Sequence, residues 1–330
     1  MAIALADIKK LRDMTSAGMM DCKNALTEAD GDFKRAVEIL REKGKSTLSK
    51  RGDNETTQGA VLSRIDGGKA ILVCLGCETD FVAATPDFKT LAGNIADKAI
   101  AALPADKEAL KAEKLADGYT VEEDITNQAG KTGEKHVLAY YAALEAPFVS
   151  EYVHFNGKLG AIVAFSKVVP AEIARGIAMQ VASMNPVAVD EASVPAEVLE
   201  SERTVAIQKT KDEQVQKAVD AALKKVGINP AHVDSEDHIE SNTAKGWLTP
   251  EQAQQARQII AEVGAAKAAS LPEAMINGIV NGRIQKFLKE NTLLEQEYQL
   301  SDDKVSVKAA LAAADKDAKV LAFRRFSLSD

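Results

Sequence analysis

The sequence predicts an α+β protein with a three-helix module at its N-terminus, two related α+β core subdomains and a long helical, coiled-coil-like insertion in the second. Three observations lead there. Apolar residues recur at helical spacing through residues 4–43. A pattern of hairpin, helix and late strand then occurs twice. Between the second helix of that pattern and its late strand, from Val194 to Glu290, the periodicity is helical throughout. The boundaries follow: a module over 1–44, a linker over 45–57, one subdomain over 58–145, a second over 146–194 and 288–330, and the insertion over 195–287.

In the module, Leu5, Ile8, Leu11 and Met14 form the first apolar stripe. Cys22, Ala25, Leu26 and Ala29 form the second, and Phe33, Ala36, Val37 and Leu40 the third. Gly18 and Gly31 punctuate the breaks, and Gly44 is expected to end the third helix. So small a core is marginal, and modules of this kind usually bind something. The polar stretch from Lys45 to Thr57 has no period and reads as a mobile linker.

The first subdomain opens with strands Ala60–Ile65 and Ala70–Leu75 around Asp66-Gly67-Gly68-Lys69. A helix follows, with Thr85 as cap, Pro86 at its first position, and Phe88, Leu91, Ala92, Ile95 and Ala99 on one face. The second subdomain repeats the pattern with strands Val149–Phe155 and Lys158–Lys167 around Asn156-Gly157, a turn pair tolerant of positive φ. Its helix runs from Pro170 to Asn185. Late strands are expected at Val137–Leu144 and Val320–Leu328. The halves differ at one place. In the first, Gly76–Ala84 intervenes between strand and helix, so Glu78-Thr79-Asp80-Phe81-Val82 occupies an added connection, where function tends to sit.

In the insertion, Val215, Val219, Ala222 and Val226 mark one helix. Thr249-Pro250-Glu251-Gln252 is a capping box opening another, and Ser270-Leu271-Pro272-Glu273 opens a third. Narrow stripes on long helices suggest an antiparallel projection, which offers a route to a homodimer.

Apolar residues at 46 % and charged residues at 27 % describe a globular chain. No apolar run approaches the roughly 20 residues of a membrane span, and the N-terminus lacks a secretory pattern, so a cytoplasmic protein is expected. A net charge of −8 argues against direct nucleic-acid binding. Residues 1–51 nevertheless carry eleven basic against eight acidic side chains, which fits either an acidic partner surface or a solvated excess.

The sequence shows no catalytic motif. Cys74-Leu75-Gly76-Cys77 has redox or zinc spacing, but on a strand residues three apart point to opposite faces, and no second pair completes a zinc site. Small core residues are the better reading. Gly44-Lys45-Ser46-Thr47 resembles the end of a phosphate loop, yet the position needing glycine is Ile39, inside a helix. Gly278 and Gly282 have the spacing of close-packed helices. No metal set, cofactor motif or nucleophile is found, so covalent catalysis is not expected.

Two segments carry a resemblance. The run from Leu11 to Leu26 (LRDMTSAGMMDCKNAL) closely resembles the N-terminal signature of the elongation factor Ts family. Cys77-Glu78-Thr79-Asp80-Phe81-Val82 resembles that family's core signature. Weaker matches are Tyr152-Val153-His154 with Gly157-Lys158-Leu159-Gly160, the helix Ile177–Ala182, and Asn281–Phe287. The resemblance implies a ubiquitin-associated-like fold for the module and a complex with the GTPase elongation factor Tu, on which the protein would act as a guanine-nucleotide exchange factor. It implies that Asp80 and Phe81, within Thr79–Val82, enter beside the partner's magnesium and nucleotide. It implies that Arg12, Met19 and Met20 contact a helix of the GTPase domain, and that the loop of His154, Asn156 and Gly157 reaches the partner's third domain. The residues add support of their own: if the second stripe faces the core, Met20 shares a face with Lys23, Asn24 and Thr27. For Phe81 the bland alternative is an aromatic anchoring its own subdomain, and Asp80 could cap the following turn. Gln180 stands where many relatives carry histidine and receives no role, and the insertion is longer than in familiar members.

Overall fold

The computed structural model describes residues 3–15 and 17–329; Ser16 of the N-terminal signature and the first two residues lie outside the described residues. Along the chain run α1 (Leu5–Thr15), α2 (Met19–Glu28), α3 (Phe33–Lys50), β1 (Gln58–Asp66), β2 (Lys69–Cys77), α4 (Asp80–Ala83), α5 (Pro86–Ala102), α6 (Lys107–Ala112), α7 (Val121–Thr132) and β3 (His136–Glu145). There follow β4 (Phe148–Val153), β5 (Leu159–Phe165), α8 (Ala171–Met184), α9 (Ala196–Lys225), α10 (Glu236–Ala244), α11 (Pro250–Ala269), α12 (Glu273–Asn291), α13 (Val307–Ala314) and β6 (Val320–Ser327). This is the α+β class expected. The chain divides into two compact units, one of residues up to 189 with those from 293 on, the other of Asp190–Thr292.

In the first unit the two halves repeat one plan. Each sheet has three antiparallel strands with the second strand of the hairpin in the middle, in the orders β1-β2-β3 and β4-β5-β6. Each has a register shift near the end of its central strand, at Cys74/Leu75 and at Ala164/Phe165. The sheets face each other through Val61, Leu72, Cys74, Leu144, Val149 and Ile162. Their outer faces are covered by α5, α6 and α7 on one side and by α8 and α13 on the other. Strand β2 is therefore buried on both faces, which explains why Ala70–Cys77 reads as a continuous apolar run instead of alternating.

The three-helix module has its own core of Ile8, Leu11, Cys22, Ala25, Leu26 and Ala36. Of the first stripe, Leu5 and Met14 remain more than half exposed, because a module this small covers only the middle of it. Gly44 does not end the third helix. Helix α3 continues to Lys50, and Gly44 is there because α3 crosses α7 at a distance that leaves no room for a Cβ. Beyond it, the expected mobile linker is held: Arg51 and Asn54 donate to Glu78, and Lys135 Nζ donates to the carbonyls of Gly52 and Asn54 at 2.6 and 2.8 Å. The opposite correction applies to Gly278 and Gly282. A Cβ at either would meet open space, so their spacing marks no helix crossing.

The second unit buries its apolar residues within itself. Val219 and Leu223 of α9 pack with Ala253 and Ala256 of α11, while Ala206 packs with Ile276 and Val280 of α12. Leu199 and Arg203 share a groove with Ile284 and Leu288, so α12 runs antiparallel to α9. The capping box at Thr249 forms as expected, with Thr249 accepting from Gln252 N–H and Gln252 accepting in return.

Candidate functional site

The added connection after β2 is a single helical turn, α4, and its cap is Thr79 rather than Asp80: the Thr79 hydroxyl accepts from Val82 N–H at 3.4 Å. Val82 and Ala83 pack onto the core beneath the sheet, which leaves Asp80 exposed and Phe81 82 % exposed. The bland alternative for Phe81, an anchor for its own subdomain, is thus removed.

The base of this turn is built from two facing dipeptides. The β2–β3 ladder ends at Cys77 opposite His136. One step further, side chains take over as acceptors. Glu134 accepts from Thr79 N–H at 3.1 Å and from the Thr79 hydroxyl at 2.6 Å. Reciprocally, Glu78 accepts from Lys135 N–H at 2.5 Å. Burial alone would raise the Glu78 carboxyl, but that N–H, the Asn54 amide and the Arg51 guanidinium outweigh it and hold it below the usual carboxylate range. His136, buried next to Phe88, donates from Nδ1 to the Glu134 carbonyl at 3.0 Å, and burial pushes its pKa down.

The loop from His154 to Lys158 differs from the simple two-residue hairpin expected. Gly157 N–H donates to the His154 carbonyl, and only Gly157 takes positive φ, at 66°. The turn is centred one residue earlier, on Phe155 and Asn156, with glycine closing it. That shift throws Phe155, unremarked in the sequence, to the tip, where it is 93 % exposed with its ring 4.5 Å from that of His154. An aromatic directly before Asn-Gly was the only local sign. Tyr152 and His154 Nδ1 are hydrogen-bonded at 2.7 Å, which orients the imidazole.

These pieces share one end of the core. Gln58, which opens β1, lies opposite Cys77 in the ladder, and its side chain accepts from Lys158 Nζ at 2.6 Å. Val61 N–H donates to the Gly157 carbonyl at 2.7 Å. Arg51 joins the end of α3 to Glu78 at the same place. On the module, Met20 is 65 % exposed among exposed Lys23, Asn24 and Thr27, as the stripe on α2 required. Met19 is partly buried against the module core, and Arg12 is exposed and paired with Asp13. Asp21, beside Met20, pairs with Lys43 of α3 at 2.7 Å, tying α2 to the helix whose far end reaches Glu78.

Other candidates resolve into structure. Cys74 faces the neighbouring sheet and Cys77 the helices, and burial pushes both thiols up to about 12. Gln180 is buried, donates to Gln296 and to the Glu297 carbonyl, and accepts from Gln299 N–H, so it fixes the segment before α13 on α8. Among the described residues no group of three or more His, Cys, Asp or Glu has the arrangement of a metal site, and no helix is long and apolar enough to cross a membrane.

Fold and surface together have the character of a docking protein, one that presents exposed aromatic rings beside a half-buried histidine from a braced core, and exposed methionine and arginine side chains from the module. The chain belongs to the elongation factor Ts family. The family model described as Elongation factor TS matches residues 78–330. Elongation factor Ts of Bacteroides thetaiotaomicron is 52 % identical over 329 residues, covering 99 % of each chain, and that of Bacteroides fragilis is 51 % identical over the same span. Elongation factor Ts of Porphyromonas gingivalis is 36 % identical over 329 residues, 100 % of this chain and 99 % of the relative. The relatives therefore also cover the N-terminal module, which the family model does not reach.

Proposed function

We propose that this protein is the guanine-nucleotide exchange factor of elongation factor Tu in the cytoplasm, and that α4 is the element that loosens GDP. The observation that carries the reading is the exposure of Phe81 on a turn anchored by Thr79, Val82 and Ala83. An aromatic ring held out from a braced support offers a partner a large apolar contact at little cost in conformational entropy.

Exchange is a linkage problem. A factor that binds the nucleotide-free GTPase more tightly than the GDP form must weaken GDP by the same ratio. Phe81 inserts beside the partner's magnesium and moves its ligands by about an ångström, which an octahedral magnesium shell tolerates poorly. Asp80 adds a negative charge near the phosphates. Arg12, Met19 and Met20 hold the GTPase domain, while His154, Asn156 and Gly157, extended by Phe155, hold the third domain. No covalent step and no cofactor of this chain is involved, and neither nucleic acid nor membrane takes part. The antiparallel pair of α9 and α12 offers a surface for a homodimer.

The experiment is stopped-flow release of a fluorescent GDP analogue from elongation factor Tu with increasing amounts of this protein. A large, saturable acceleration is expected. Binding without acceleration would leave an adaptor on the same fold.

A further inference from the structure

We propose that Glu134, outside the signature segments, is a positioning residue that sets the direction of Phe81 by acting through Thr79. The inference rests on the reading of α4 as the exchange element.

A helix of four residues cannot sustain itself, since one turn fixes more dihedrals than it makes hydrogen bonds. Its direction is therefore set by its cap and by what packs under it. Val82 and Ala83 supply the packing, and Thr79 is the cap. A hydroxyl has a single proton and rotates freely unless something takes that proton. Here the Glu134 carboxylate takes it at 2.6 Å, which turns the lone pairs of Thr79 toward Val82 N–H. The same carboxylate holds Thr79 N–H, so both ends of the capping residue are tied to one side chain 55 positions away.

Glu134 is itself fixed from behind. Its N–H donates to the Thr132 hydroxyl at 3.2 Å, and its carbonyl accepts from buried His136. The neighbouring half of the clasp, Lys135 N–H on Glu78, holds the two segments in register beyond the end of the ladder. Cys77 Sγ adds a contact to the Thr79 carbonyl at 3.2 Å. Phe81 is thus the free end of a braced lever. Without Glu134, Thr79 loses two charge-assisted bonds, α4 frays, and the ring samples directions that do not meet the partner's magnesium side. Misorientation costs rate more than affinity, because ring contact area survives while the productive geometry is diluted.

The test is GDP release from elongation factor Tu by Glu134→Ala, Glu134→Gln, Phe81→Ala and the double variant Phe81→Ala/Glu134→Ala, with affinity for nucleotide-free partner measured beside it. Thermal melts establish that each variant is folded, and Glu134→Gln, which keeps one acceptor, stands in if the alanine variant is not. The expected result is a maximal rate about tenfold lower for Glu134→Ala, an intermediate loss for Glu134→Gln, and affinity changed by less than about threefold. In the Phe81→Ala background, removing Glu134 should have no further effect. Additive losses in the double variant, or equal falls in rate and affinity, would overturn the positioning role. Slowing by Phe81→Ala alone, with Glu134→Ala unaffected, would sink this inference and spare the exchange reading. An unaffected Phe81→Ala would sink both.

Discussion

Gly44 and Gly130 face each other where α3 crosses α7: a Cβ on Gly130 would lie 3.1 Å from the Gly44 Cα, and one on Gly44 would lie 2.1 Å from the Thr126 carbonyl oxygen. Backbone meets backbone there, so neither side can yield by rotating a side chain. Arg41 fastens the crossing by donating to Glu123 at 2.9 Å, within the capping box that opens α7. The three-helix module is in this way seated on the core through the middle of its longest helix.

Gly44→Ala should therefore destabilise the protein by about 1–3 kcal/mol, the usual cost of overpacking a close contact. Gly282→Ala is the matched control, a helical glycine with open space around its missing Cβ, and should instead stabilise by about 1 kcal/mol. Calorimetric melts of the two variants check both signs. A stabilised Gly44→Ala would show that α3 does not approach α7 this closely in solution.

Phe81→Ala should slow GDP release from elongation factor Tu more than it weakens binding. The ring is exposed in the free protein, so its removal should leave the melting temperature nearly unchanged. Rate and affinity falling together would remove the wedge and leave Phe81 as one contact among several.

Met20→Ala should do the reverse. Met20 supplies apolar area from an exposed helix face, so its loss should raise the dissociation constant by roughly tenfold or less, on the scale of about 1 kcal/mol, with the saturated rate intact. Titration of exchange against factor concentration separates the two effects. A lowered plateau would contradict the division between holding and loosening.

Asp124 predicts a pH dependence. It lines a cleft of about 250 Å3 with Met14, Leu40, Lys43, Tyr119 and Lys131, where the module meets α7. Burial, then the neighbouring Asp117, pushes its carboxyl from an ordinary 3.8 up to about 7, with the Asn127 amide opposing. A raised carboxyl keeps its proton in the folded state after the unfolded chain has released it. The stability it contributes is fully present below about pH 4 and is lost as pH rises through 7. Asp124→Asn should flatten that part of the profile and melt higher than the parent at pH 8, with little difference at pH 4. Parallel profiles would show that Asp124 ionises normally.

Much of the fold was legible because its signals are local. The stripe on α2, the cap pair Thr85-Pro86, the Thr249 capping box and the two hairpins each lie within a few residues, and each formed. The surface position of Met20 followed from which residues of its own helix had to be buried. Structure and sequence part where a local signal has two meanings. Glycine is both a helix terminator and the residue of close crossings, and only the position of α7 decided which role Gly44 has. Asn-Gly marks a turn without fixing its centre, so Phe155 at the tip went unseen.

By itself the sequence determined the class of fold, the repeated subdomain plan, the helical insertion and the two signatures, because periodicity and turn chemistry act along the chain. Tertiary structure alone decided that Phe81 projects instead of anchoring, and that Glu134 accepts from the backbone N–H of Thr79 while Glu78 accepts from that of Lys135. The clasp joins residues more than fifty positions apart, where no local preference acts and only the packed sheet brings the two chain segments together.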